Sequence, residues 1–426
     1  MKRTLLALLL TGSLSYALAG NPNPHPEKCG TVESTKRRIQ ANPGLEKIMQ
    51  DDERNLEQAI IRNQNSRTSS TIFTIPVVVH VVWRTNSQNI TDQQILSQID
   101  VLNEDFGHRN ADTSSIPANW RSISSASNFQ FCMAQIDPNG NPTNGIERRQ
   151  TNVNTFTDDD LVKAYTSGGM DAWDTRSYFN IWVCNLGGGI LGYAEFPTSQ
   201  QSSTYGVVIG YDAFGRVGVV SYPYNKGRTA THEIGHCFNL KHIWGDDQGA
   251  CTGSDNVADT PNQGAETYGC LTYPANDNCN TTTNGYMFMN YMDYSDDRCL
   301  YMFTNGQNTR MNTAMTTWYS DLLANTNNLC ESGVGVSSAP DDFQFSLYPN
   351  PTEGLLTLDM TGTRDLGSSI DLAIVDALGE IVYTRKIENP VGMLHQIEMN
   401  NFNSGIYFVN LSNAQFKKTV RVSLIK

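Results

Sequence analysis

The stretch Thr231 to Asp246, THEIGHCFNLKHIWGD, constrains this chain more than any other. His232 and His236 are four residues apart, so on a helix they leave from one face. Two imidazoles at that spacing can share one zinc ion, and Glu233 stands beside them as a candidate general base. His242 lies six residues beyond His236, too far for the same turn. The helix must therefore stop and the chain must swing back. Three nitrogen ligands leave zinc one open position, as in catalytic sites, whereas structural zinc sites are closed by four protein ligands. An H-E-x-x-H alone also occurs by chance in soluble helices. The third histidine is what separates this stretch from a chance match.

A second signal follows at Asn290-Tyr291-Met292-Asp293-Tyr294. Three histidines followed by a methionine turn resemble the metzincin pattern H-E-x-x-H-x-x-G-x-x-H…Met. Where that pattern has glycine this chain has Asn239, the next most tolerant residue for a left-handed backbone. The wider segment combines HEIGHCFNLKHIWGD, Cys251, Asp255, Ala258 to Pro261 (ADTP), Cys270, Cys279 and MFMNYMDYSDDRC ending at Cys299. It resembles the pappalysin family of metzincins, in particular its bacterial ulilysin-like members, over roughly residues 70 to 330.

The resemblance implies zinc on His232, His236 and His242, with Glu233 as general base. Met292 would form a hydrophobic base beneath the metal. Tyr294 would donate its phenol to the oxyanion, the alternative being packing alone. Disulfides Cys251–Cys279 and Cys270–Cys299 are implied, while Cys132, Cys184, Cys237 and Cys330 stay unassigned. Asp255, Asp259 and Thr260 offer hard oxygen ligands in a short span, and the resemblance implies calcium there. The other reading is a solvated acidic loop. Asp296 and Asp297 fall where metzincins shape the S1′ pocket. A carboxylate there would favour arginine after the cleaved bond, an effect that Arg298 would weaken if it pointed inward.

The N-terminus reads as a signal peptide over residues 1–19. Lys2 and Arg3 give the charged start, Leu5 to Leu14 the apolar run, and Ala17-Leu18-Ala19 the cleavage site. That run is well short of the ~20 residues a membrane span needs, and no later stretch is long enough either. A net charge of -13 argues against nucleic-acid binding, which wants a basic stripe. Export permits disulfides, and nine cysteines leave at least one without an intramolecular partner.

Residues 20–66 are polar, with a possible helix at Leu45 to Ile61, and read as a propeptide. A thiolate is a good zinc ligand, so Cys29 can fill the open position and exclude water. The Cys29-Gly30 pair is similar to pappalysin propeptides that act as cysteine switches, the alternative being an ordinary free or paired cysteine. Ser66-Arg67 lies in a small polar stretch suited to cleavage. Cutting there places arginine after the bond, as ulilysin-like enzymes prefer. Cleavage at Arg62 or after Arg67 remains an alternative.

The peptidase domain is expected over 67–333. Ile72 to Trp83 reads as a core strand whose early part, at Pro76, lies at an edge or start. Thr91-x-x-Gln94 is a capping box opening a helix with Ile95, Ile99, Leu102 and Phe106 on one face. His80 is a core histidine. Phe129 to Ile136, Phe179 to Cys184 and Val207 to Tyr211 read as strands. By analogy with metzincins, either Gly187 to Phe196 or Val207 to Tyr211 is the edge strand that takes substrate by β-augmentation.

Residues 334–342 are a linker by composition. Residues 343–426 change to short strands and turns. YPNPTEG (348–354), DALGEIV (376–382), SGIYFVNL (404–411) and the basic-apolar end resemble the C-terminal sorting domain of the type IX secretion system of Bacteroidetes. The alternative is a carbohydrate-binding or adhesive β-sandwich.

The expected fold is an α/β (α+β) metzincin-like domain with a mixed twisted sheet and two long helices, one carrying His232 and His236. Its lower half should be irregular and disulfide-stapled, and a small all-β sandwich should follow. The implied function is a secreted zinc endopeptidase made as a latent zymogen, acting on proteins or peptides and exported by a secretion apparatus. The competing readings are a catalytically silent binding protein on the same scaffold, and a zinc exopeptidase or other amide hydrolase.

Overall fold

The structure is a computed structural model. It describes residues 28–63, 71–247, 249–325, 329–330, 346–360, 369–376, 380–388, 394–412 and 417–426. The expected signal peptide, the Ser66-Arg67 bond and the 334–342 linker lie outside these residues. The chain divides into two units, Met1–Cys330 and Glu331–Lys426.

The first unit is built on β1 (Phe73–Trp83), an eleven-residue run of mostly β-branched residues that is almost wholly buried. Such a run suits a parallel strand covered on both faces. On one side β1 pairs in parallel with β2 (Phe129–Met133) and then β3 (Ile146–Gln150). On the other it pairs with β4 (Phe179–Cys184), starting only at Val77. Pro76 therefore sits where β1 still has one neighbour, which is where proline is tolerated. The sheet continues to β6 (Gly206–Gly210), with β5 (Gly192–Ala194) antiparallel at the edge. The edge strand is thus β5, within the first of the two expected segments. β3 was not expected, because Ile146-Glu-Arg-Arg-Gln shows little apolar patterning.

Ile75, Val77, Val79 and Val81 face a core shared with α3 (Asp92–Phe106) and α4 (Arg228–Cys237). Thr91 caps α3 by accepting from the Gln94 amide at 3.2 Å. The capping box is only half made, because the Gln94 side chain donates instead to the carbonyls of Tyr211 and Phe214. α4 carries His232 and His236 as expected but has only ten residues, so it is not a long helix. The other long helix of this part is α5 (Asn305–Trp318), followed by α6 (Ser320–Ala324). Between Phe238 and Thr304 the described chain has no α-helix or strand, and Cys251–Cys279 and Cys270–Cys299 staple it. A third bridge, Cys132–Cys330, ties the end of the unit to β2, and Cys29, Cys184 and Cys237 are free and buried. His80 is core, with its nitrogens 2.9 Å from Glu147 and Asn180.

Two helices precede the sheet: α1 (Thr31–Ala41), which the sequence reading left undefined, and α2 (Gly44–Asn63). α2 packs on α5 and buries Leu56 in the main core.

The second unit has two antiparallel sheets. The first is ordered β10 (Ile381–Glu388), β9 (Ser369–Asp376), β12 (Gly405–Ser412), β13 (Lys417–Leu424), and the second β11 (Leu394–Glu398), β8 (Leu355–Asp359), β7 (Ser346–Tyr348). Alternate residues such as Leu356, Leu358, Ile370, Leu372 and Ile374 form a core of its own. Among the described residues no helix is long and apolar enough to cross a membrane.

Candidate active site

Helix α4 is fixed from below. Thr231 Oγ1 donates to Asp105 of α3 at 2.7 Å, and Arg228 pairs with Asp105 and Asp112. Asp297 Oδ2 accepts from the Lys226 and Arg228 amides at the helix start, where a carboxylate offsets the positive helix end. His232 and His236 then leave one face. The chain turns back at Asn239, whose φ of +75° is the left-handed conformation expected there, and His242 returns to the pair.

The Nδ1 of His232 lies 2.7 Å from the Tyr291 carbonyl, and that of His236 2.7 Å from the Leu240 carbonyl. A carbonyl only accepts, so both Nδ1 atoms carry the proton. His242 Nδ1 faces Asp246 Oδ1 at 2.8 Å in the same way. Burial holds His232 and His236 well below the usual histidine range, hence neutral. Their Nε2 atoms are lone-pair acceptors, and the three Nε2 atoms stand 3.1, 3.1 and 3.3 Å apart. Three Nε2 atoms converging on one point, with bare lone pairs on His232 and His236, suit a cation among them. Imidazoles oriented through Nδ1 in this way are how zinc ligands are held. The donor set therefore fits zinc.

Cys29 completes the set: its sulfur and the three histidine nitrogens lie within 4.8 Å of one another. Burial, then the charge of Glu233, pushes this thiol well above its usual range, a preference that a neighbouring divalent cation reverses by favouring the thiolate. Glu233 Oε2 accepts from Thr31 Oγ1 at 2.8 Å and from the Cys29 thiol at 3.4 Å. Burial outweighs these bonds and raises the Glu233 carboxyl to about 7.

The segment carrying Cys29 lies along the edge strand. The Gly30 amide donates to the Gly192 carbonyl at 2.9 Å and the Leu191 amide to the Lys28 carbonyl at 2.7 Å. The bridge between Cys29 and Gly192 is parallel. Lys28 enters a pocket lined by Tyr224, Arg228, Asp293, Asp297 and Leu300. Its Nζ donates to the carbonyls of Tyr294 and Ser295 and lies 4.2 Å from the Tyr224 ring centroid. Burial lowers its pKa to about 8, against the pull of Asp296, Asp297 and Asp293. Burial also raises Asp293 and Asp297 to about 6 each. Asp297 faces the pocket, whereas Arg298 turns outward, its Nε 3.1 Å from Cys270 Sγ.

Met292 is fully buried under α4, and Tyr294 packs on the rings of His232, His242 and Trp244. The remaining expected ligands behave differently. Asp255 accepts from Thr260 Oγ1 at 2.7 Å, while Asp259 accepts from Thr304 Oγ1 and the Gly306 amide at the start of α5. Among the described residues, Cys29 and the three histidines are the only group of three or more His, Cys, Asp or Glu side chains close enough together to share a metal. Lys28, Thr31, Gly192 and Gly235 escaped the sequence reading. Lys28 and Thr31 flank Cys29, and that adjacency was the available signal. The two glycines had none, because their neighbours are distant in sequence.

Residues 162–316 match the peptidase M43 family described as pregnancy-associated plasma protein-A, and residues 346–426 match a secretion system C-terminal sorting domain. An extracellular metalloprotease of Pyricularia oryzae is 31% identical over 290 residues, covering 67% of this chain and 87% of that one. Among solved structures, a point mutant of promirolysin from Tannerella forsythia is 45% identical with a TM-score of 0.66, covering 72% of this chain and 100% of the other. Mature mirolysin from the same organism, in complex with a cleaved peptide, is 51% identical with a TM-score of 0.60 over 62% and 100%. The chain belongs to the pappalysin family: it is a zinc metalloendopeptidase with a type IX sorting domain, secreted from or attached to the surface of a Bacteroidetes-type bacterium.

Proposed function

We propose that this protein is made as a latent zymogen and cuts polypeptides before basic residues, with Glu233 as general base. The observation that carries the reading is the placement of Cys29 against the three histidines while its neighbour Lys28 fills the acidic pocket beside them. His232, His236 and His242 would hold zinc, which when bound polarises the scissile carbonyl and acidifies a water. Glu233 takes the proton of the attacking water and passes it to the leaving amine. Tyr294 donates its phenol to the developing oxyanion. Met292 keeps the floor of the site dry and rigid. In the latent state Cys29 and Thr31 occupy the space that Glu233 needs for water.

Polarity follows from the pocket. In the propeptide the basic residue precedes the group at the metal, whereas in a substrate cut before Arg or Lys it follows the scissile carbonyl. A substrate that fills the same pocket must therefore run opposite to the propeptide, antiparallel to β5. Asp296 and Asp297 would set the preference, with arginine favoured. The proposed organisation is a signal peptide at 1–19, a propeptide at 20–66, the peptidase at 67–333, a linker at 334–342 and the sorting domain at 343–426. Calcium is proposed at Asp255, Asp259 and Thr260, supported by the buried Asp255 carboxyl, which burial raises to about 6.

The test is intact mass and N-terminal sequencing of the signal-free protein with zinc, wild type beside Glu233→Ala. Trimming of the wild type alone, to a new N-terminal Arg67, is expected. If both stay intact, and the wild type freed of its propeptide by another protease leaves casein uncut, a silent scaffold replaces this reading.

A further inference from the structure

Helix α1 of the propeptide ends its approach on a group of acidic residues beyond the edge strand. Arg37 grips Asp158 through both carboxylate oxygens, at 2.6 and 2.8 Å. Arg38 binds Asp160 Oδ2 through Nε at 2.9 Å and Nη2 at 2.6 Å, and bridges to Glu195 through Nη1. With α1 docked, Glu195 and Asp158 are 8% and 9% exposed. One cation of the peptidase itself is present: the buried Lys163, 2.9 Å from Asp160 and 3.9 Å from Glu195. The hydroxyl of Tyr193, also buried, has no hydrogen-bond partner, and Lys163 lies 5.5 Å from its ring centroid. A groove of about 420 Å³ lies between the α1–α2 segment (Arg38, Leu45, Met49) and the peptidase wall formed by Asp160, Glu195 and Thr204.

Loss of the propeptide leaves three carboxylates against one lysine. Carboxylates grouped around one lysine repel one another, and an incoming cation relieves this. The planar guanidinium fork of Arg38 already shows the shape that spans Asp160 and Glu195, which favours arginine over lysine. Position follows from the strand. Glu195 is the residue after β5 and three past Gly192, the partner of Cys29. At ~3.3 Å per residue this is about 10 Å from the metal group. Given the antiparallel substrate of the proposed function, on which this inference rests, that distance lies upstream of the cut.

We propose that Asp158, Asp160 and Glu195 form a second basic subsite in the mature enzyme, taking an Arg or Lys side chain two to three residues upstream of the cleaved bond. The enzyme would then read a basic residue on each side of that bond, and Arg37 and Arg38 would hold the upstream subsite closed until maturation.

The test uses the mature enzyme and pairs of internally quenched peptides. All carry Arg after the cut, and within each pair the second or third upstream residue is Arg or Gln. The wild type should show about tenfold higher kcat/KM for the Arg peptide of one pair, carried mostly by KM. In the Asp160→Asn/Glu195→Gln double variant the ratio should fall to about one. Glu195→Lys should shift preference towards a peptide with Glu at that position. The single variant Asp160→Asn, profiled on a digest of denatured protein, gives the same readout if the double variant does not fold. Equal wild-type rates within both pairs overturn the subsite, as does a preference that survives in the double variant. A second basic preference found only downstream overturns it too. Cleavage of none of these peptides overturns the underlying reading and the subsite with it, whereas equal cleavage overturns the subsite alone.

Discussion

Two small residues hold the floor of the site in place. A Cβ on Gly235 would stand 2.5 Å from the Met292 sulfur, closer than carbon and sulfur approach without a shift. Gly235→Ala should destabilise the first unit by ~1–3 kcal/mol through overpacking, read as a lowered thermal midpoint in the Glu233→Ala protein. Asn239 makes the turn at φ +75° that returns His242. Asn239→Gly should leave stability within ~0.5 kcal/mol, whereas Asn239→Val should cost ~1–3 kcal/mol and weaken zinc binding in a chelator competition. The two positions differ in legibility. Asn239 could be singled out from the chain itself, because a turn was required between His236 and His242. Gly235 could not, because Met292 reaches it from 57 residues away, and no local pattern records that approach. The same holds for Gly192, where a Cβ would meet the Glu233 side chain at 2.8 Å.

Elements were legible where periodicity was long and missed where it was short. β1 and α3 carry enough apolar repeats to announce themselves. β5 has three residues, too few for any period, and it is identified as the edge only by its pairing with β6. α1 hid for another reason: it docks through the Thr31 hydroxyl and the ion pairs of Arg37 and Arg38, so it lacks an apolar stripe. α2 is held by Glu53, whose carboxylate binds Arg310 at 2.7 Å and Lys241 at 3.5 Å. Burial would raise its pKa, but the Arg310 hydrogen bond and the charges of Arg310 and Lys241 outweigh this and hold it at about 2. The docked value lies below the free value of ~4.3, so ionisation favours docking. That contribution is complete above about pH 5 and fades as pH falls towards 2. Glu53→Gln should therefore destabilise the Glu233→Ala protein by ~2 kcal/mol at neutral pH, a difference that starts to narrow below about pH 4 and closes only near pH 2. Chemical denaturation of both proteins at a series of pH values measures it.

At the scale of the molecule, two separate cores predict two separate transitions. Calorimetry should resolve one for each unit, and a zinc chelator should lower only that of the first, because a ligand stabilises the state that binds it. The division itself was visible as a change from a helix-and-loop pattern to short alternating strands. The bond joining Cys132 to Cys330 was not, because pairing depends on where β2 and the end of α6 meet in space. That bond closes a span of 198 residues. Cys330 is the last residue of the first unit, so tension applied through the sorting domain arrives first at this cysteine. From there the shortest covalent route leads across the sulfurs into β2 of the central sheet. Residues 133 to 329, including the three histidines and α5, lie within the loop that this bond closes. The covalent path from the sorting domain therefore enters the central sheet without running through the segment that carries the three histidines.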